Sequence, residues 1–295
     1  MNPFLDWCFK YLFGTEENKP NLIGFLNLML MPQSPIVDVE FMNNESLPSS
    51  PEIKECVFDI VCKDQNGERY LIEVQNGKMI EIKDRIIYYT CRLMDRMGKR
   101  GSGWNYSDIK RVYTICLMNF TFESNPKLRR DIQLYDIDDN TLFSDKINII
   151  MLQLPCLKAE SLGECKANYE LLLYLLKEMQ AGMKTIDELK QEISNTTLPQ
   201  ETKEVFYRVL DTADVGSLSE KDQMRYESAL KNYLDTMSCI EYATVKVREE
   251  GKAEGKAEGE FEAKVSIAKS MKEKGLDYKI IAECTGLSLE QIEAL

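Results

Sequence analysis

CVFDIVCKDQNGERYLIEVQNG, residues 56–77, sets an aspartate and a glutamate inside two apolar runs. Both runs alternate. In the first, Phe58, Ile60 and Cys62 fall on one side and Val57, Asp59 and Val61 on the other. In the second, Tyr70, Ile72 and Val74 share one side, and Leu71, Glu73 and Gln75 the other. Period-2 alternation around Asn66-Gly67 predicts a β-hairpin. Asp59, Glu73 and Gln75 are then the polar members of largely buried strands, and buried polar groups need partners.

Loop length decides whether the two acids meet. With a two-residue loop, Asn66-Gly67, Gln65 pairs with Glu68 and Asp59 lies opposite Val74, which turns Glu73 to the other face. With a three-residue loop, Gln65-Asn66-Gly67, Gly67 takes a left-handed bulge position and Asp64 pairs with Glu68. Asp59 then sits opposite Glu73, with β-carbons about 5 Å apart. Two carboxylates at that separation repel by roughly 3 kcal/mol at an effective dielectric of about 20. A divalent cation turns that cost into attraction, and oxygen donors suit Mg²⁺ or Mn²⁺ better than Zn²⁺. The competing reading is a pair of strand-edge carboxylates facing water.

The chain has 295 residues and no histidine. That excludes Ser-His and Cys-His triads, His-ligated zinc and histidine general bases together. Net charge is -12, which opposes simple electrostatic binding of nucleic acid. The charge is uneven: Lys83 to Arg111 holds eight basic residues against three acidic, a stretch that reads as a basic patch or as a solvated helix face. Nine cysteines without a CxxC pair predict buried thiols in a reducing compartment. No apolar run reaches the roughly 18 residues of a membrane span, and MNPFLDWCFKYLFG lacks the marks of a signal peptide. The expectation is a cytoplasmic protein with no membrane partner.

Residues 4–13 and 21–31 read as helices, PIVDVEFMN as a first strand and 79–97 as a strong helix. RVYTICLMNF and KINIIMLQL read as further strands. The order α-α-β-β-β-α-β-β predicts an α/β fold, a mixed sheet flanked by helices. After Pro155 the pattern is helical. The expected division is a core at 1–155, a helical extension at 156–245 and a terminal segment at 246–295. In that segment Gly251, Gly255 and Gly259 recur every fourth position. They read either as a weak solvated helix or as a stripe admitting a second helix. The last residues, LDYKIIAECTGLSLEQIEAL, predict two short helices, with Ser288 and Gln291 as a capping box. Mutual packing and half of a helix-turn-helix both fit.

The pattern D-x13-E-x-Q on a hairpin, followed by a helix with DRIIYY, resembles the PD-(D/E)xK nuclease superfamily. More narrowly it is similar to the recombination-promoting nucleases, also called PD-(D/E)xK nuclease family transposases. The opening DWCFKYLFG, EGKAEGKAEG and IIAECTGLSLEQI carry the likeness from about residue 4 to the end. The resemblance implies a restriction-endonuclease-like sheet and a Mg²⁺- or Mn²⁺-dependent DNA endonuclease of recombination, mobile-element or defence biology. Asp59 and Glu73 would bind the metal with the Val74 carbonyl, and Gln75 stands where the wider superfamily has lysine. Asp6 and Lys10 match a motif beside the active site, and Arg85, Tyr89, Arg92 and Arg96 are candidate DNA contacts. Lys10, Lys78 or a second metal ion would supply the charge that Gln75 lacks. Cutting both strands implies a homo-oligomer, expected as a dimer through the C-terminal region. The rival reading is a DNA-binding or self-associating protein that has lost catalysis.

Overall fold

The computed structural model describes residues 1–42, 45–46, 56–57, 59–98 and 105–295, with backbone alone at 45–46 and 56–57. They form two compact units, Met1–Leu230 and Lys231–Leu295.

The first unit opens with helices α1 (Asp6–Phe13) and α2 (Lys19–Leu30). Phe9 and Phe13 of α1 pack on Phe25 of α2 at ring distances of 6.1 and 5.3 Å. Then come β1 (Val39–Phe41), β2 (Glu45–Ser46), β3 (Cys56–Val57), β4 (Ile60–Asp64) and β5 (Arg69–Gln75). Helix α3 (Ile82–Asp95) leads to β6 (Val112–Met118), β7 (Arg129–Tyr135) and β8 (Leu142–Gln153). Six strands form one mixed sheet in the order β1-β4-β5-β6-β8-β7, while β2 and β3 pair separately. Strand β6 lies parallel to both neighbours, β5 and β8. That central position explains why RVYTICLMNF is apolar on both sides.

The sheet has two buried faces. Ile60, Cys62, Tyr70 and Ile72 join α1, α2 and the later helices in the main core. Val61 and Leu71 face the other way, onto Leu93 of α3. Helices α4 (Asn168–Ala181), α5 (Ile186–Ser194) and α6 (Gln200–Thr212) bury Leu172, Ile193 and Phe206 in the same main core.

The hairpin takes the three-residue loop. Cys62 pairs with Tyr70 and Lys63 with Arg69, the Asp64 N–H donates to the Glu68 carbonyl at 3.0 Å, and Gly67 has φ of 79°. Asp64 selects this turn over the two-residue one. Its Oδ1 accepts from the backbone N–H of Asn66 and of Glu68, both at 2.9 Å, so one buried carboxylate wraps the whole loop.

Three expectations need correction. The run at 56–62 is not one strand: β3 ends at Val57 and β4 begins at Ile60, so Asp59 stands at a break. The order of elements omitted β7, an edge strand whose residues RRDIQLY are all exposed or half-exposed; its alternation is confined to Ile132 and Leu134, too short a signal beside the charged Arg129, Arg130 and Asp131. Among the described cysteines, Cys8, Cys62 and Cys116 are buried, but Cys91, Cys239 and Cys284 are exposed.

Helix α7 (Glu220–Glu273) begins in the first unit and continues into the second. The second unit adds α8 (Tyr278–Thr285) and α9 (Leu289–Glu293), which with the end of α7 bury Ala268, Ile281, Leu287 and Ile292. Gly286 turns between them at φ of 72°, and Ser288 and Gln291 form the capping box. A β-carbon added at Gly251, Gly255 or Gly259 would meet nothing within 4 Å, so the chain's own packing does not require glycine there. Among the described residues, no helix is long and apolar enough to cross a membrane.

Candidate functional site

The site grows from the end of the hairpin. Along β5 the backbone groups of alternate residues turn to opposite neighbours. Gln75 bonds toward β6, its carbonyl accepting from the Asn119 N–H at 2.9 Å. Val74, one residue earlier, therefore turns its N–H and carbonyl to the β4 side. There the Asp59 carboxylate takes the place of a ladder rung: Oδ2 accepts from the Val74 N–H at 2.7 Å. The break at Asp59 is what frees its side chain to do this.

Glu73 lies on the α3 face, 2% exposed. Its Oε2 accepts from Arg85 at 3.3 Å and from Gln75 at 3.4 Å. Its Oε1 is buried without a hydrogen-bond partner. Burial raises the Glu73 pKa and the Asp59 charge raises it further, against the pull of Arg85, the Asp59 backbone N–H and the Gln75 side chain. Asp59 is also raised, mainly by burial; the Val74 N–H opposes this, and Asp6 adds to it.

Helix α1 brings a cation to Asp59. Lys10 Nζ is 2.7 Å from Asp6 Oδ1 and 3.7 Å from Asp59 Oδ1. Burial alone would lower the lysine pKa, but the Asp6 hydrogen bond and the charges of Asp6, Asp59 and Glu73 carry it upward. Two acids are thus flanked by two cations, Lys10 from α1 and Arg85 from α3. Lys78 is exposed on the loop after β5.

On α3, Arg85, Tyr89, Arg92 and Arg96 share one half-buried stripe. Arg85 stacks over the Tyr89 ring at 4.9 Å while holding Glu73. Arg92 lies 3.7 Å from Asp95. Arg96 is eleven residues beyond Arg85, about 16 Å along the helix axis, so the fold does not bring it to the acids.

Sequence reasoning missed the residues that hold α3 in place. Thr90 and Thr114 share a buried hydrogen bond of 2.7 Å between helix and β6. Arg69 donates to the Leu93 and Arg96 carbonyls at 2.9 and 3.3 Å, where a cation also favours the helix end. The available signal was a lone threonine within each apolar stretch, RIIYYTCRL and RVYTICLM.

The donor set decides what could bind. Among the described residues, no cluster of three or more His, Cys, Asp or Glu side chains could hold a metal, so Asp59 and Glu73 offer two carboxylates, with the Val74 carbonyl beside them. An all-oxygen set this small suits a hard ion that keeps several waters, as Mg²⁺ does. The orphaned Glu73 Oε1 fits such an ion, because a buried carboxylate oxygen without a donor is otherwise costly.

A family model described as PD-(D/E)XK nuclease family transposase matches residues 3–243. No curated protein and no solved structure matches the chain.

Proposed function

The chain belongs to the PD-(D/E)XK nuclease family transposases, and from that premise we propose that it is a divalent-metal-dependent DNA endonuclease. The observation that carries this reading is Glu73: a buried acid, kept next to a second acid, with one oxygen unpaired. Such an arrangement is unfavourable by itself and would be relieved by a cation. Mg²⁺ or Mn²⁺ on Asp59, Glu73 and the Val74 carbonyl would polarise a phosphodiester oxygen and acidify a water.

The chain's own residues would do the rest. Gln75, 3.4 Å from Glu73, can orient the attacking water by hydrogen bonds but brings no charge. Lys10 supplies the missing cation: it reaches Asp59 from α1, whereas Lys78 is exposed. A lysine there stabilises charge developing on the phosphate, and Asp6 holds it in position. Arg85 and Tyr89 flank the acids on the α3 side, and the stripe running on to Arg92 and Arg96 is the proposed path of the DNA backbone. Hydrolysis would leave a 5′-phosphate and a 3′-hydroxyl, in recombination, mobile-element or defence biology. A dimer through the C-terminal region would allow both strands to be cut.

A second reading has one observation behind it. Arg85 already neutralises Glu73 and glutamine replaces the superfamily lysine, which would suit a DNA-binding protein with lost catalysis. Plasmid incubated with the purified chain and Mg²⁺, Mn²⁺ or EDTA separates the two. Metal-dependent nicking that D59A and E73A each abolish supports the nuclease. Activity in EDTA, or retained within about tenfold in either variant, overturns it, since loss of a catalytic group costs more than that.

A further inference from the structure

Helix α7 is 54 residues long and buries one of them, Ala268. From Lys231 to Lys264 every residue except Tyr233 is exposed. A helix so solvated draws little stability from packing, and Gly251, Gly255 and Gly259 weaken it further. The stretch before those glycines nevertheless carries an apolar stripe, half-buried at Leu230 and Tyr233 and exposed beyond them. Leu230, Tyr233, Met237, Ile240, Thr244 and Val247 recur at alternating intervals of three and four, the heptad spacing of a coiled-coil seam. Met237, Ile240 and Val247 are 41%, 50% and 67% exposed.

We propose that this seam joins α7 to the same helix of a second copy of the chain, running antiparallel about a two-fold axis between Ser238 and Cys239. The proposal locates the dimer suggested above and does not depend on the metal chemistry. Reversing the helix on itself sets Leu230 against the partner's Val247, Tyr233 against the partner's Thr244 and Met237 against the partner's Ile240. Symmetry repeats each layer, so six layers run through the pairing, with the Thr244 hydroxyl satisfied by the Ile240 carbonyl of its own helix. The flanking charges agree. Glu227 falls beside the partner's Arg248 and Arg248 beside the partner's Glu227, both at the rim of the seam. Leu234 meets the partner's Glu241, and Thr236 the partner's Ala243, so no like charges oppose each other. A parallel, in-register pair would instead set Asp222 beside the partner's Glu227 and stack Tyr233 on itself. The seam is therefore complementary to its own reverse, which selects a second copy as occupant, and charge complementarity selects the antiparallel order.

Sedimentation equilibrium of the full chain at micromolar concentration is expected to give a dimer, and M237E/I240E a monomer. Charge reversal tests the orientation without touching the core. E227R and R248E alone should each weaken association about tenfold, and the E227R/R248E exchange should restore it. Circular dichroism checks helicity, and nicking of plasmid in the same samples reads the metal site separately from pairing. A monomeric wild-type chain, a dimer that survives M237E/I240E, or an exchange no tighter than the single reversals overturns the proposal. Should M237E/I240E lose helicity, the surface exchange alone decides.

Discussion

Replacing Glu73 by glutamine separates a metal-binding acid from a structural ion-pair partner. Glu73 is 2% exposed and its charge feels three large effects. The Asp59 carboxylate, held on the adjacent Val74 N–H, repels it; two charges roughly 5 Å apart at an effective dielectric of about 20 would do so by about 3 kcal/mol. Arg85 attracts it from 3.3 Å, but the arginine side chain is 30% exposed, and solvent screening cuts such a pair to about 1 kcal/mol. Loss of hydration adds several kcal/mol against the charge. The balance favours a neutral side chain, in line with the raised Glu73 pKa. Glutamine keeps the shape and an oxygen for Arg85. E73Q avoids the cost of protonating Glu73, about 1.4 kcal/mol per pH unit above an unfolded pKa of about 4.5, and should therefore stabilise the metal-free chain by about 3 kcal/mol at pH 7, which is about 6–12 °C in thermal midpoint for a unit of this size. Thermal melting in EDTA measures it. Mn²⁺ at about 100 times its dissociation constant should then add about 2.7 kcal/mol to the wild type and nothing to E73Q. A lower midpoint for E73Q in EDTA, or an undiminished Mn²⁺ shift, would refute the reasoning and leave Glu73 as a structural partner of Arg85.

Three further outcomes follow from the same geometry. Because the folded-state pKa values of Asp59 and Glu73 are both raised, their contribution to stability is complete below the unfolded-state pKa values and is lost as pH rises through the folded ones. The metal-free wild type should thus lose stability relative to E73Q from about pH 4.5 upward, and parallel melting curves across that range would contradict this. K10M should slow plasmid nicking by about 10²-fold, the loss expected for one cationic or hydrogen-bonding stabiliser of the transition state. Adding Q75K should recover most of that loss by returning the cation to the strand; nicking by K10M at the wild-type rate would remove Lys10 from the mechanism. At Gly67, where φ is 79°, G67A should cost about 1–2 kcal/mol in urea unfolding. The cost is one of backbone conformation, since the new β-carbon would stand 3.6 Å from the Lys110 side chain, an ordinary contact; an unchanged midpoint would mean the turn has relaxed.

The local sequence was enough to find the hairpin, its Gly67 turn and the helix after it. Alternation, turn chemistry and helical periodicity are short-range properties, and each is written in adjacent residues. The mixed sheet was legible for the same reason wherever a strand buries a face, as β5, β6 and β8 do. Strand β7 was not, because an edge strand led by Arg129, Arg130 and Asp131 displays only Ile132 and Leu134 on one side and buries neither. Nor could pattern alone choose between the two loop lengths. That choice rests on the buried Asp64 carboxylate closing over Asn66 and Glu68, together with the pairing that carries Tyr70 opposite Cys62. The candidate site divides in the same way. Asp59 and Glu73 stood out as acids among apolar neighbours, but the break that turns Asp59 onto the Val74 N–H occurs inside an unbroken alternation. The approach of Lys10 to Asp59 and of Arg85 to Glu73 joins residues 49 and 12 positions apart. Contacts of that kind are set by how helices dock on the two faces of a sheet, and only the packed chain brings them together.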